Sequence, residues 1–419
     1  MSTLPVVVIG AGPQGLAAAA QLLERGLPVV VLEAGSSAAA AVREWAHVRL
    51  FSGWPELVDA AARRLLEPTG WVAPAAGYPT GGEWVAFYLA PLASALGDRI
   101  RFGARVTRVT RAFSTFRVEV GGSVIEAQAV IDASGTWSQP NPAGADGLPA
   151  IGEDSAPVSY RIPTAADADR LAGSHTVIVG SGHSATTAVN ELARVAAAHP
   201  DTRVTWVLRR GTADTAFGGG LDDELPARGA LGLAAQCAVS SGLVDLVTGF
   251  RIQRFDSTVD GVKVVAEDGR ELSPASRILV LTGFRPDLSF VSELRLELDP
   301  RLEAPVRIAA EVDPEFHSCG TVRATGARDL AHPEKDFYLV GAKSYGRAPT
   351  FLALTGYEQV RSIAAALAGD VAAAERVELA LPATGVCEGS GVADVAGGSC
   401  CAPVDSVLQI GRRGVHTFF

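Results

Sequence analysis

The stretch Val6-Val7-Val8-Ile9-Gly10-Ala11-Gly12-Pro13-Gln14-Gly15 decides the fold, together with an Ala/Leu-rich run to Gly26 and the segment Val29-Val30-Val31-Leu32-Glu33. Four apolar residues run into a glycine turn. A helix comes next, and a second apolar run ends on an acid. Gly10 allows the tight turn, Gly12 lets a pyrophosphate approach the backbone, and Gly15 lets helix and strand pack closely. The helix N-terminus offers unpaired N–H groups and a positive dipole end to phosphates. Glu33 stands where a carboxylate can accept from ribose hydroxyls. A bare GxGxxG can be an ordinary turn, but strand, helix, strand and acid in register make it a dinucleotide signature. Gly10, Gly12, Gln14, Gly15 and Glu33 are therefore candidate cofactor-binding residues.

A second unit of the same kind starts at His175. His175–Val179 reads as a strand, Gly180-Ser181-Gly182-His183-Ser184-Ala185 as a GxGxxA turn, 186–198 as a helix and 203–208 as the second strand. This strand ends on Arg209-Arg210 rather than on an acid. Arginine there can pair with a 2′-phosphate, so NADPH is expected over NADH, the alternative being that one or both arginines are solvated surface charges. Gly180, Gly182, His183, Ser184, Arg209 and Arg210 join the candidates. Between the units, helices are expected at 56–66 and 83–96, with a break or kink at Pro91. Strands are expected at 99–102, 105–109, 116–120 and 124–131. Region 211–250 is Gly/Ala-rich and carries no clear period. Strands resume at 262–266, 277–281 and 336–341, and a helix is expected over 352–368.

Bulk properties bound the answer. The chain has 419 residues, 48% hydrophobic and 20% charged. That length suggests roughly two to three domains. With 36 basic and 46 acidic residues its formal net charge is −10. No basic patch with interleaved aromatics is visible, so nucleic acid is not an expected partner. No apolar run approaches the ~20 residues of a spanning helix, and the N-terminus lacks the pattern of a signal peptide. Five cysteines do not make a secreted disulfide framework. A cytoplasmic protein acting on a small molecule is expected, its oligomeric state left open.

Two dinucleotide units, joined by the small-residue turns Ala133-Ser134-Gly135 and Leu281-Thr282-Gly283, form a recognisable layout. On IGAGPQG with Glu33, VGSGHSA with Arg209 and Arg210, IDASGTWSQPNPAG and LTGFRPD, residues 1–370 resemble the two-dinucleotide-binding-domain flavoproteins. Within them they resemble the flavin-containing, class B type monooxygenases. The run SYGRAPTFLALTGYEQVRSIAAAL and the cysteine-bearing tail are similar to flavin monooxygenases of bacterial arsenic-resistance gene clusters. The resemblance implies an α/β fold in which an FAD-binding domain (1–165 and 286–375) is interrupted by an inserted NADPH-binding domain (166–285). A flexible Gly/Ala/Cys-containing tail (376–419) would come last.

The resemblance also implies an FAD-dependent, NADPH-consuming oxidoreductase, monooxygenase-like, acting on a thiophilic or metalloid compound. A reductase or oxidase of the same fold, and a flavin-binding sensor or metalloid-sequestering module, are the alternatives. Trp45 would lie near the flavin and Val106 would offer backbone groups to the adenine. Ser134, Gly135 and Gly283 would border the cofactors at the crossings. Phe351 would precede a helix whose N-terminus faces the flavin. Two departures matter. The FxGxxxHxxx signature of class B monooxygenases is missing, because 147–162 holds no histidine. The redox CxxC of disulfide reductases is missing too. No side-chain acid or base is assigned. Cys387, Cys400 and Cys401 could present three thiolates to a soft ion such as trivalent arsenic, or be incidental to a disordered tail.

Overall fold

A computed structural model describes residues 4–379 except 214–215, 224, 315 and 318–321. The tail with Cys387, Cys400 and Cys401 lies outside the described residues, as does Cys319. The strands are β1 (Val6–Ile9), β2 (Val29–Leu32), β3 (Ile100–Arg101), β4 (Val106–Ala112), β5 (Thr115–Val120), β6 (Ser123–Ala127) and β7 (Ala129–Asp132). After them come β8 (Val158–Ser159), β9 (His175–Val179), β10 (Arg203–Val207), β11 (Asp245–Val247), β12 (Ile252–Thr258), β13 (Gly261–Ala266), β14 (Arg277–Val280) and β15 (Phe337–Leu339).

Two five-stranded parallel sheets result. The first has the order β15-β7-β1-β2-β3 and the second β11-β10-β9-β14-β8. Parallel strands buried on both faces need continuous apolar runs. Val6–Ile9 and Ala129–Asp132 are fully buried along their length. The helix Pro13–Glu24 connects β1 to β2, which pair in parallel from Val6↔Val29 to Ile9↔Leu32. The helix His183–Ala198 connects β9 to β10 in the same way. Each βαβ unit has its own core, one around Leu16, Val31 and Ile131, the other around Ile178, Val189 and Trp206. A three-stranded antiparallel sheet, β4-β5-β6, covers the first unit, and the hairpin β12-β13 packs on the second. Val158–Ser159 pair with β14 in the second sheet, ahead of the boundary at 166 expected from the sequence.

At Pro91 the helix is irregular but continuous. The chain runs from Gly81–Trp84 through a π-helical turn, Val85–Leu89, into Ala90–Leu96. Proline removes the N–H that would bond the carbonyl four residues back. Here the Trp71 indole donates to that carbonyl, Phe87 O, at 2.7 Å. The helix Pro226–Ser240 fills much of the region that showed no period. A Cβ on Gly229 would sit 2.0 Å from Gly220 O, and one on Gly232 1.8 Å from Phe217 O. Tertiary contact, not helix propensity, put those glycines there.

His332 sets part of the acid stability. It is 7% exposed, and Nδ1 accepts from Glu297 N at 3.3 Å. Burial pushes its imidazole down to about 4. Below pH ~6.5 the unfolded chain takes up a proton that the native state refuses. The stability present at pH 7 is therefore lost as pH falls through this window, by up to about 3 kcal/mol. His332→Asn keeps an acceptor and removes the titration. Its drop in melting temperature between pH 7 and 4.5 should be smaller than the wild type's; an equal drop would exclude His332 as the cause.

Candidate cofactor site

Both glycine turns lie at the carboxyl ends of parallel strands, where open α/β sheets bind ligands. Gly10 has φ +97°, and a Cβ on it would meet Ala133 O at 2.8 Å. A Cβ on Gly15 would stand 1.9 Å from Gly10 O. Gly12 differs: a Cβ there would meet nothing within 4 Å. It is the N-cap of Pro13–Glu24, in extended conformation, and no side chain of its own caps the helix N–H groups. The second unit repeats this design. Gly180 has φ +128°, and its Cβ would meet Leu281 O at 2.3 Å. Gly182 is an uncapped N-cap with nothing within 4 Å. Two cradles that a Cβ would partly fill, each at an open helix N-terminus, fit two pyrophosphates. Position 185, which corresponds to Gly15, carries an Ala that is fully buried without a clash.

Glu33 is 9% exposed at the end of β2. Its Oε2 accepts from Ala11 N and its Oε1 from Gly35 N, both at 2.7 Å. The carboxylate thus ties the glycine turn to its own strand end, and each oxygen keeps capacity for a ribose hydroxyl. Glu33 O accepts from Ala104 N at 2.8 Å, which brings the start of β4, and so Val106, beside the acid. Trp45 is half-buried with its ring against Gly81, whose Cβ would lie 2.6 Å from it. Gln14 is buried between the glycine turn and the helix Ala353–Leu367, donating to Ala353 O at 3.0 Å. Phe351 stands edge-on to Tyr345 at 5.3 Å, just before that helix.

His183 opens the second-unit helix and meets Phe51 of the first unit edge-on at 4.9 Å. Burial first, and then the Arg228 charge, hold its imidazole below the ordinary value. Ser184 lines a small cleft with Trp137, Tyr160, Gly283 and Phe284. Arg209 donates to Ala145 O at 3.0 Å. The two crossings are stapled to each other. Thr282 Oγ1 donates to Asn141 O at 2.8 Å, and Asn141 Nδ2 donates to Thr282 O at 3.2 Å. Gly135 and Gly283 both have positive φ there, +69° and +89°.

Sequence reasoning missed a buried ionic group behind Ser134. Asp132 and Lys343 are fully buried and pair at 2.7 Å. Lys343 Nζ also donates to Ser134 Oγ at 2.9 Å, and Ser134 Oγ donates to Asp132 Oδ1 at 2.6 Å. Ser134 itself is exposed, so two buried charges orient a hydroxyl at the edge of the crevice. Asp132 ends β7 and Lys343 lies just beyond the adjacent strand β15; they are far apart in the chain, and no local pattern joins them. Among the described residues no group of three or more His, Cys, Asp or Glu side chains could hold a metal, and no helix is long and apolar enough to cross a membrane.

Comparison with known proteins agrees with this architecture. Over 181 residues the chain is 32% identical to the indole-3-pyruvate monooxygenase YUCCA1 of Oryza sativa subsp. japonica, a match covering 42% of each protein. The chain thus spans about two fifths of that relative's length. The bacillithiol disulfide reductase Bdr of Bacillus cereus superposes with a TM-score of 0.67 at 18% identity, covering 88% of this chain and 99% of that one. A flavin-containing monooxygenase of Stenotrophomonas maltophilia superposes at 0.56 with 24% identity, covering 89% and 99%. At these identities the likeness is one of fold. The model of the family described as pyridine nucleotide-disulphide oxidoreductase matches residues 7–307. The chain belongs to that family.

Proposed function

We propose that the chain is an NADPH-consuming flavin monooxygenase acting on a small thiophilic or metalloid compound, such as a trivalent arsenical, in the cytoplasm. The observation that carries the cofactor part is the pair of open cradles at Gly12 and Gly182, one in each unit, with His183, next to Gly182, against Phe51 of the first unit. In this proposal Gly10, Gly12, Gly15 and Glu33 hold FAD, while Gly180, Gly182, Ser184, Arg209 and Arg210 hold NADPH. Gln14, Trp45, Val106, Ser134, Gly135, Gly283 and Phe351 border the two cofactors. When bound, these supply hydride transfer and oxygen chemistry; the chain's part is to grip, orient and shield them. Ser134 already gives its hydroxyl proton to Asp132, so toward a ligand Oγ acts only as an acceptor. The sequence kinship with a monooxygenase supports oxygen as the acceptor. The tail cysteines Cys387, Cys400 and Cys401 support a thiophilic substrate, because soft thiolates suit soft ions.

A second reading is an NADPH-dependent reductase, favoured by the family and by the disulfide reductases of like fold. Against direct dithiol chemistry, the chain contains no CxxC. Oxygen uptake separates the two. A monooxygenase consumes O2 and NADPH in equal amounts and carries labelled oxygen from O2 into product. Turnover that continues unchanged without O2 would establish the reductase instead. Arsenite binding with no NADPH consumption would leave only a sequestering role.

A further inference from the structure

Three arginines from distant parts of the chain meet at one short loop. Arg209, just past the end of β10, donates Nη1–H to Ala145 O at 3.0 Å. Arg285, on the second crossing, donates Nη2–H to Gly147 O at 3.2 Å and Nε–H to Asn141 Oδ1 at 2.9 Å. Arg347, beyond β15, brings its Nη2 to within 3.5 Å of where a Cβ on Gly147 would lie. Three guanidiniums thus border residues 145–147.

A guanidinium does not lose its proton in a protein, so this crowding is a standing repulsion. Burial first, then the Arg285 charge, push the Arg347 pKa down, with Glu303 opposing and Arg209 adding to the effect. Two carboxylates are near. Asp146 turns Oδ1 to Leu148 N at 2.9 Å, within its own loop. Glu303 has a buried Oε2 with no hydrogen-bond partner among the described residues, and its charge favours the protonated Arg347. Among the described residues, none of the three arginines is in an ion pair, and the contacts of Arg209 and Arg285 are all to neutral oxygens. Neutral carbonyls orient a guanidinium fork without discharging it, which leaves the charge for a ligand.

We infer that Arg209, Arg285 and Arg347 form one oxyanion site shared by both dinucleotide units and the crossing between them, and that its ligand is a phosphate-class anion. This rests on the proposed NADPH function, under which the anion is the cofactor's 2′-phosphate. Bound there, it would be held from the first unit by Arg347 as well as from the second by Arg209. The same chemistry would also take a free oxyanion.

Calorimetric titration of the FAD-loaded protein with NADP+, NAD+ and inorganic phosphate tests the site. Among the described residues Arg347 makes no side-chain hydrogen bond that shapes the fold, so Arg347→Met is the informative variant, with Arg347→Lys keeping the charge but not the fork. Arg347→Met should weaken NADP+ about tenfold and leave NAD+ within about twofold, with Arg347→Lys between wild type and Met. Loss of inorganic phosphate binding with NADP+ unchanged would keep the site and assign it to a free oxyanion. If Arg347→Met changes neither NADP+ nor phosphate binding, the inference is overturned. Arg209→Met/Arg210→Met serves as the control. If it removes the preference for NADP+ while Arg347→Met does nothing, the NADPH proposal stands and the shared site alone fails.

Discussion

Gly12→Ala yields a folded protein that stays colourless with FAD. The added Cβ enters open space, so nothing in the protein resists it. The backbone at Gly12, φ −78° and ψ −174°, is one that alanine adopts freely. Stability should change by less than about 1 kcal/mol. The same methyl occupies the room a pyrophosphate needs, so FAD affinity should fall roughly a hundredfold or more. Gly182→Ala is the mirror experiment. Its turn is equally open, so the protein should remain yellow while NADPH binding collapses. Equilibrium titration of each variant with each cofactor checks the pair. Equal damage to both cofactors from either single change would refute two separate cradles.

Gly15→Ala has the opposite consequence, three residues away. Here the Cβ would meet Gly10 O at 1.9 Å, Gly10 C at 3.0 Å and the Ala133 Cβ at 3.5 Å. The first two are backbone atoms and cannot rotate aside. The helix must lift off β1, in the middle of the core around Leu16 and Ile131. The cost should reach about 3 kcal/mol or more, with the melting temperature down by roughly 6 °C or more even without FAD. A cofactor-free protein that melts like the wild type would show that the tight packing at Gly15 is not what holds this unit together. Gly12 and Gly15 belong to one motif, yet a Cβ on the first would enter open space and a Cβ on the second the protein's own backbone.

The contrast between those glycines also marks what could be read from the chain. Strand, turn, helix and strand were legible at both units because each is local. Period, glycine spacing and the terminal residue, Glu33 or Arg209, all fall within about thirty residues. The expected strand at 175–179 and the helix before Gly26 are where the pattern put them. The helix Pro226–Ser240 was illegible because Gly229 and Gly232 answer to Gly220 and Phe217 rather than to helix propensity. The two-residue strand Val158–Ser159 is too short to carry a period. At Pro91 the local rule predicted a break or kink; the chain passes through a π-helical turn, Val85–Leu89, and Trp71, well before it in the chain, supplied the missing donor. The ionic group of Asp132, Ser134 and Lys343 and the meeting of Arg209, Arg285 and Arg347 are tertiary. Neither has a signal in spacing, although a lysine and an arginine just past an apolar strand end are unusual for their surroundings.

In the proposed function, two backbone cradles, at Gly12 and Gly182, hold a flavin and a nicotinamide dinucleotide so that electrons pass between them. The visible spectrum of the purified protein, incubated with FAD and then mixed with NADPH under nitrogen, tests it directly. A flavin band that bleaches with NADPH and returns on admission of air is the predicted result. A protein that remains colourless after incubation with FAD, or a bound flavin that NADPH never bleaches, would contradict it.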